Sequence, residues 1–180
     1  MATHPDFQAL PWARTLLSDP QTELLSGTHQ GRYKDSPAPN PMFRKLLNQP
    51  GAVNAQVSFR RPAQEPDACH PKEHGMLLSL GHDVDGMHGR AHGGFNGMVL
   101  DQICGSVAES ALPMASPPAT ATLTIDYKAP VGTPCVVLAR AWLTEVAGRK
   151  IRCRSVLEDP KGKVLATATA LFIAPRPAAL

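Results

Sequence analysis

Aromatic side chains are scarce. Phe, Trp and Tyr make up 5% of the 180 residues, too few for the stacking platforms on which single-stranded nucleic acids lie. An excess of either charge is also missing: 18 Lys and Arg stand against 15 Asp and Glu, a net charge of +3. That balance excludes the basic footprint of a nucleic-acid binder, while it suits an anionic ligand. No apolar run approaches the roughly 20 residues that span a bilayer, so no membrane partner is expected. The opening "MATHPDFQALPWARTLLSDP" lacks the basic start and apolar block of a secretory signal. Cys69, Cys104, Cys135 and Cys153 are far apart, with no C-x-x-C, and read as reduced thiols of a cytoplasmic protein.

What is present divides the chain unevenly. Residues 1–45 read as a helical extension and a proline-rich linker, 46–175 as the main domain and 176–180 as a tail. In the extension, Trp12, Leu16, Leu17 and Leu24 have helical spacing broken by Pro20, and "DSPAPNP" marks the linker. A short helix is expected around "MFRKLLN". "AVNAQVSFRR" alternates as a strand, "GMLLSLG" reads as a shorter one, and "PAQEPDACHPKEH" between them is a polar loop. Later come "ATATLTIDY", with Ala119, Ala121, Leu123, Ile125 and Tyr127 on one face and threonines on the other, then "CVVLARAWLTEV", "KIRCRSVLED" and "KVLATATALFI". "DPKG" has the proline and glycine of a tight turn, so the last three strands form an antiparallel meander.

Between the two groups of strands lies "HGGFNGMVLDQICG", residues 92–105. It reads as a helix that is apolar or small nearly all round, and such a helix is satisfied only if a curved sheet wraps it and a second subunit covers the rest. Asp101 interrupts it. The neighbours of Asp101 at three and four residues are Gly97, Met98, Cys104 and Gly105, none of them charged, so this face is expected to be covered. An unpaired buried carboxylate costs several kcal/mol and persists mostly where it does chemistry. Gly97 and Gly105 remove bulk one turn away, leaving room for a ligand or a close-packed partner. At the helix start, Gly93 and Gly94 admit a substrate to N–H groups that lack internal partners, a site for a developing oxyanion. Donors for a carbonyl oxygen and a carboxylate are the parts that acyl transfer needs; a helix cap with a structural Asp is the competing reading.

"HGGFNGMVLDQICG" resembles the His-Gly-Gly-x6-Asp signature of hotdog-fold acyl-CoA thioesterases, in the phenylacetate-pathway and human thioesterase-superfamily group, and "TIDYKAPV" looks like the strand that follows it there. The resemblance covers about residues 50–174; the extension is of a kind found among fungal relatives. It implies an α+β hotdog fold, an antiparallel sheet wrapped round one long central helix, with active sites formed between subunits of a homodimer or homotetramer. It further implies that Asp101 is nucleophile or general base, that the Gly93 N–H polarises the thioester carbonyl, and that His92 holds the loop. Thr120, from the partner subunit's strand, would stand near the water. Gly94, Gly86, His88, Met98 and Arg152 are the expected substrate contacts. Many relatives have Asn where this chain has Gly86, a departure that Asp85 or His88 could offset.

The substrate expected is an acyl-CoA or an acyl or polyketide chain on a carrier protein, with no cofactor beyond the CoA or phosphopantetheine it carries. Arg149, Lys150, Arg152 and Arg154 could meet its phosphates, or could form a solvated strand face. His82, Asp83, Asp85, His88 and His92 cluster in "GHDVDGMHGRAHGG", but Gly86 and Gly89 argue against a helix that would align them, so a polar loop and no metal is expected. The rival to a thioesterase is a non-catalytic acyl-ligand binding or interaction module on the same fold, a reading that Gly86 keeps alive.

Overall fold

Covering an all-round apolar helix takes a sheet long enough to bend, and the strands supply one. The computed structural model describes residues 4–25, 42, 47, 49–112 and 116–176. After helices α1 (Pro5–Gln8) and α2 (Pro11–Ser18) come strands β1 (Glu23–Leu24), β2 (Val53–Pro62) and β3 (Lys72–Leu80). A small hairpin of β4 (Asp85–Met87) and β5 (Arg90–Ala91) leads into helix α3 (Gly93–Ala108). The chain closes with β6 (Ala119–Tyr127), β7 (Cys135–Ala147), β8 (Lys150–Glu158) and β9 (Val164–Ile173). The seven-stranded sheet has the order β1-β2-β3-β7-β8-β9-β6, and each pairing is antiparallel. This is the hotdog arrangement expected from the sequence, with β7 central and β7, β8 and β9 in a meander. The β8–β9 turn closes at "DPKG", where the Gly162 N–H donates to the Asp159 carbonyl at 3.0 Å.

The concave face holds α3, packed against β3, β6, β7, β8 and β9. Val99, Leu100, Ile103, Cys104 and Val107 of the helix are buried among Leu78, Val137, Ala139, Leu143, Ile151 and Phe172 of the sheet. One polar pair crosses this core: His74 Nδ1 lies 2.9 Å from Ser106 Oγ, both buried.

The convex face is covered in two ways. Phe7, Ala13 and Leu16 of the extension bury themselves on Val57, Phe59, Leu77, Val136 and Leu138, and the Ser79 hydroxyl donates to Asp6. Beyond them the β2–β3 loop lies over a charged network. Glu73, fully buried, accepts from Arg61 at 2.8 Å and Arg140 at 3.1 Å, and Arg140 also donates to Glu65 and Glu158. The Trp142 indole N–H reaches Asp67 at 2.8 Å. The extension is therefore a pad on the back of the sheet.

Three expectations need correction. The helical spacing in the extension does not run through to Leu24, which is exposed in β1; Pro20 ends the pattern, and Phe7, outside it, is the deepest anchor. β3 starts three residues earlier than "GMLLSLG", because Lys72, Glu73 and His74 pair with β2 and the buried acid is neutralised there. The polar stretch before His92 is a hairpin rather than an open loop. "MFRKLLN" lies outside the described residues apart from positions 42 and 47.

Phe7→Ala deletes the anchor and leaves a cavity against the convex face. The expected loss of stability is about 3 kcal/mol, read from urea denaturation; an unchanged midpoint would mean that the extension is not docked.

Candidate active site

His92 caps α3. Its backbone is extended, and its Nδ1 accepts the Gly94 N–H at 2.9 Å, which places the ring proton on Nε2. That cap consumes one of the unsatisfied donors at the helix start, and among the described residues the Gly93 N–H has no acceptor. The Gly93 carbonyl is held by the Tyr127 hydroxyl, which donates to it at 2.8 Å. The His92 N–H donates to the Val84 carbonyl at 2.8 Å, so the hairpin and the end of β6 together fix the head of the helix.

Gly86 belongs to this support. A Cβ there would come within 2.7 Å of the His92 ring. The residue that departs from the family pattern is small because the capping histidine packs across it.

Eight residues along, Asp101 is half-buried and its Oδ1 accepts from the Thr120 hydroxyl at 3.0 Å. Plain alternation puts Thr120 on the convex face with Thr122 and Thr124. A bulge between Thr120 and Thr122 turns it to the helix side instead. The bond forms within one chain, so Thr120 is not delivered to Asp101 by a partner's strand. Gly97 does not make room for a ligand: a Cβ there would lie 2.9 Å from Ile125, so the chain's own sheet fills that space. A Cβ on Gly105 would meet Phe172 at 3.6 Å, an ordinary contact, and Gly105 is only half-buried.

The remaining expected contacts separate. Met98 shares with Gly94, Asp101 and Gly105 the stripe of α3 that the sheet leaves uncovered. Arg152 lies on the convex face, across the sheet from Asp101, and pairs with Glu145 at 3.1 Å; strand alternation sends it there opposite buried Ile151 and Cys153. Arg154 pairs with Asp67 and Arg149 donates to the Ala174 carbonyl. His88 stacks on His82 with ring centroids 5.6 Å apart, while Asp83 lies against Gly51 and His92 serves the cap. The Asp85 carboxyl is held below its ordinary value, chiefly by the Thr133 hydroxyl, with the Gly89 N–H and His82 adding. Burial, aided by the Asp85 charge, pushes the neighbouring Cys135 thiol up to about 11, so it stays protonated.

One residue of the site was not singled out from sequence. Asn96 is 5% exposed, and its carboxamide oxygen has no partner among the described residues. It lines a cavity of about 380 Å³ with Arg90, Gly93, Tyr127, Lys128 and Val131. Its only sequence signal is an amide one turn from Gly93 in a segment otherwise apolar.

Residues 88–166 match the thioesterase superfamily. This part of the chain is similar to thioesterase-superfamily domains. An acyl-coenzyme A thioesterase THEM4 from Xenopus laevis is 27% identical over 180 residues, spanning 90% of this chain and 76% of that protein. The THEM4 of Rattus norvegicus is 36% identical over 98 residues, 54% of this chain and 41% of that one. The crystal structure of a phenylacetic acid degradation-related thioesterase from Ralstonia eutropha superposes with a TM-score of 0.57 at 19% identity, over 78% of this chain and 93% of its own. That likeness concerns the fold, which is the hotdog fold of these thioesterases.

The packing of Gly86 against His92 has a measurable consequence. Gly86→Ala and His92→Ala are each expected to cost about 1 kcal/mol, the worth of a helix cap. The double variant should cost less than the sum, because both act on one contact. Additive losses in chemical denaturation would show that the two residues are independent.

Proposed function

We propose that this protein hydrolyses an acyl thioester at a site completed by two copies of the chain. The observation that carries the reading is the Thr120–Asp101 hydrogen bond on the one uncovered stripe of an otherwise buried helix. The thioesterase-superfamily match over that same region supports it.

The two-copy requirement follows from distance. α3 is regular from Gly93 onward, so Gly93 and Asp101 stand about 12 Å apart along the axis. A carbonyl held at about 3 Å by a donor and approached at 3–3.5 Å by a carboxylate or water bridges roughly 7 Å at most. One helix therefore cannot present both groups to one carbonyl. Two helices packed through their uncovered stripes can, with His92 and Gly93 from one copy and Asp101 and Thr120 from the other. This supports a homodimer or a larger even assembly.

In this reading the Gly93 N–H receives the negative charge that develops on the carbonyl oxygen. Thr120 orients the carboxylate by occupying Oδ1 and leaves Oδ2 to attack the carbonyl carbon or to take a proton from water. In the first route the C–S bond breaks, the thiolate leaves and water hydrolyses the acyl-aspartyl anhydride; in the second water adds to the carbonyl, the C–S bond breaks and the proton taken by Asp101 passes to the thiolate. Both routes end in the free acid and the thiol, and need no cofactor. Arg90 and Lys128, which line the cavity by Gly93, favour an anionic carrier. The THEM4 relatives are named as acyl-CoA thioesterases, so acyl-CoA is the first substrate to test, ahead of acyl chains on carrier protein.

Thiol release from a panel of acyl-CoA and carrier-bound thioesters tests the reading. Asp101→Asn and Asp101→Ala are expected to lose at least about 10²-fold in kcat/KM. Full activity in both variants would end this mechanism; calorimetric binding of acyl-CoA with no turnover across the panel would assign the protein to ligand binding instead.

Subunit complementation tests the shared site. Gly93→Pro removes the N–H at a helix position that tolerates proline, after a residue already extended. Asp101→Asn and Gly93→Pro proteins, each inactive alone, should recover roughly a quarter of wild-type activity after mixed refolding, the statistical yield of intact sites in a two-fold dimer. No recovery from demonstrably mixed dimers would place all four groups on one chain.

A further inference from the structure

The 3₁₀ turn His82–Val84 and the hairpin after it bring together three side chains of metal-ligand type that the hydrolytic site does not use. His82, Asp85 and His88 each offer one ligand atom, and these atoms lie within 4.8 Å of one another. From sequence, Gly86 and Gly89 argued that such groups would not align. The short 3₁₀ turn His82–Val84 running into β4 brings them together by another route, and the Gly89 N–H holds Asp85 from the far side of the hairpin turn.

The spacing suits a shared ion. His82 Nδ1 is 3.2 Å from Asp85 Oδ2, and two donors on one tetrahedral zinc, at about 2.0–2.1 Å each, stand roughly 3.3 Å apart. His82 and His88 lie side by side with ring planes 18° apart. Both rings are exposed, so a small side-chain rotation closes the set without moving the core.

The carboxylate is held ready. Its Oδ1 accepts from the Thr133 hydroxyl and its Oδ2 accepts the Gly89 N–H at 2.8 Å. Fixed outer partners of this kind orient the ligands of metal centres and tune their affinity. Two imidazoles and one carboxylate are a donor set for zinc and its neighbours in the first transition row, not for calcium or magnesium, which take oxygen almost exclusively.

We infer that His82, Asp85 and His88 bind a divalent transition-metal ion of the zinc class, with water completing its coordination. The ion bridges both ends of the turn that carries the Val84 carbonyl, the acceptor of the His92 N–H. It therefore stiffens the support under the head of α3.

The test uses the full chain, free of any affinity tag and stripped with a chelator. Calorimetric titration with zinc chloride should show one saturable ion per chain, and cobalt(II) should give the visible absorption of a four-coordinate site. His82→Ala and His88→Ala, both exposed positions, should abolish binding. Thr133→Ala should weaken it roughly 10-fold, and His70→Ala, outside the cluster, should leave it unchanged. Zinc should raise Tm in the wild type and not in the His82→Ala/His88→Ala double variant. The inference is overturned if the wild type shows no saturable zinc binding, if the double variant keeps wild-type affinity, or if His70→Ala abolishes binding. These readouts do not depend on whether any thioester is hydrolysed.

Discussion

A helix with apolar residues on nearly every side has to be enclosed, and one curved sheet encloses only part of it. That constraint organises this protein. The concave face of the sheet takes Val99, Leu100, Ile103, Cys104 and Val107 and leaves the stripe of Gly94, Met98, Asp101 and Gly105 uncovered. The stripe contains no lysine, arginine or glutamate, so it is not built as a solvated face. At the sheet edge β6 is largely exposed on both sides. The two open features adjoin each other, and the Thr120–Asp101 bond lies where they meet. The proposed hydrolysis is placed there, where the carboxylate is anchored by its own chain and left open on its other side.

The back of the sheet solves a different problem. Half of it is apolar and needs the extension; the other half carries Arg140, whose charge burial opposes but which Glu158, Glu73 and Glu65 hold firmly in place. Removing either covering would expose groups that water cannot satisfy in the same geometry: aliphatic surface in one case, a fully buried Glu73 in the other. The sheet can therefore be thin, one layer with a helix on one side and a patchwork on the other.

Much of this was legible in the sequence. The all-round apolar character of residues 93–108, the period-two strands after it and the "DPKG" turn were enough to place a helix in a wrapped sheet, and a lone acid among Gly97, Met98, Cys104 and Gly105 was enough to single out the half-buried carboxylate that Thr120 holds. What escaped was what depends on a local break in periodicity or on which neighbours a face meets. The bulge that turns Thr120 inward leaves no mark in "ATATLTIDY". The convergence of His82, Asp85 and His88 depends on a one-turn 3₁₀ segment, His82–Val84, too short to leave a periodic signal. Asn96 looks like an ordinary helix residue until its surroundings show that no described residue answers its carboxamide oxygen. Arg152 was grouped with Lys150 and Arg154 on one strand face, and only the burial of Ile151 and Cys153 shows that this face points away from the helix.

The bulge in β6 also bears on how such a strand can vary. Because successive side chains alternate between faces, deleting one residue at that irregularity would restore a regular ladder with β9 and satisfy every backbone partner. It would also rotate the threonine hydroxyl to the far side of the sheet. A chain shortened there would keep its architecture and lose the tether on its acid, so length in this short stretch separates folding from chemistry more sharply than residue identity does.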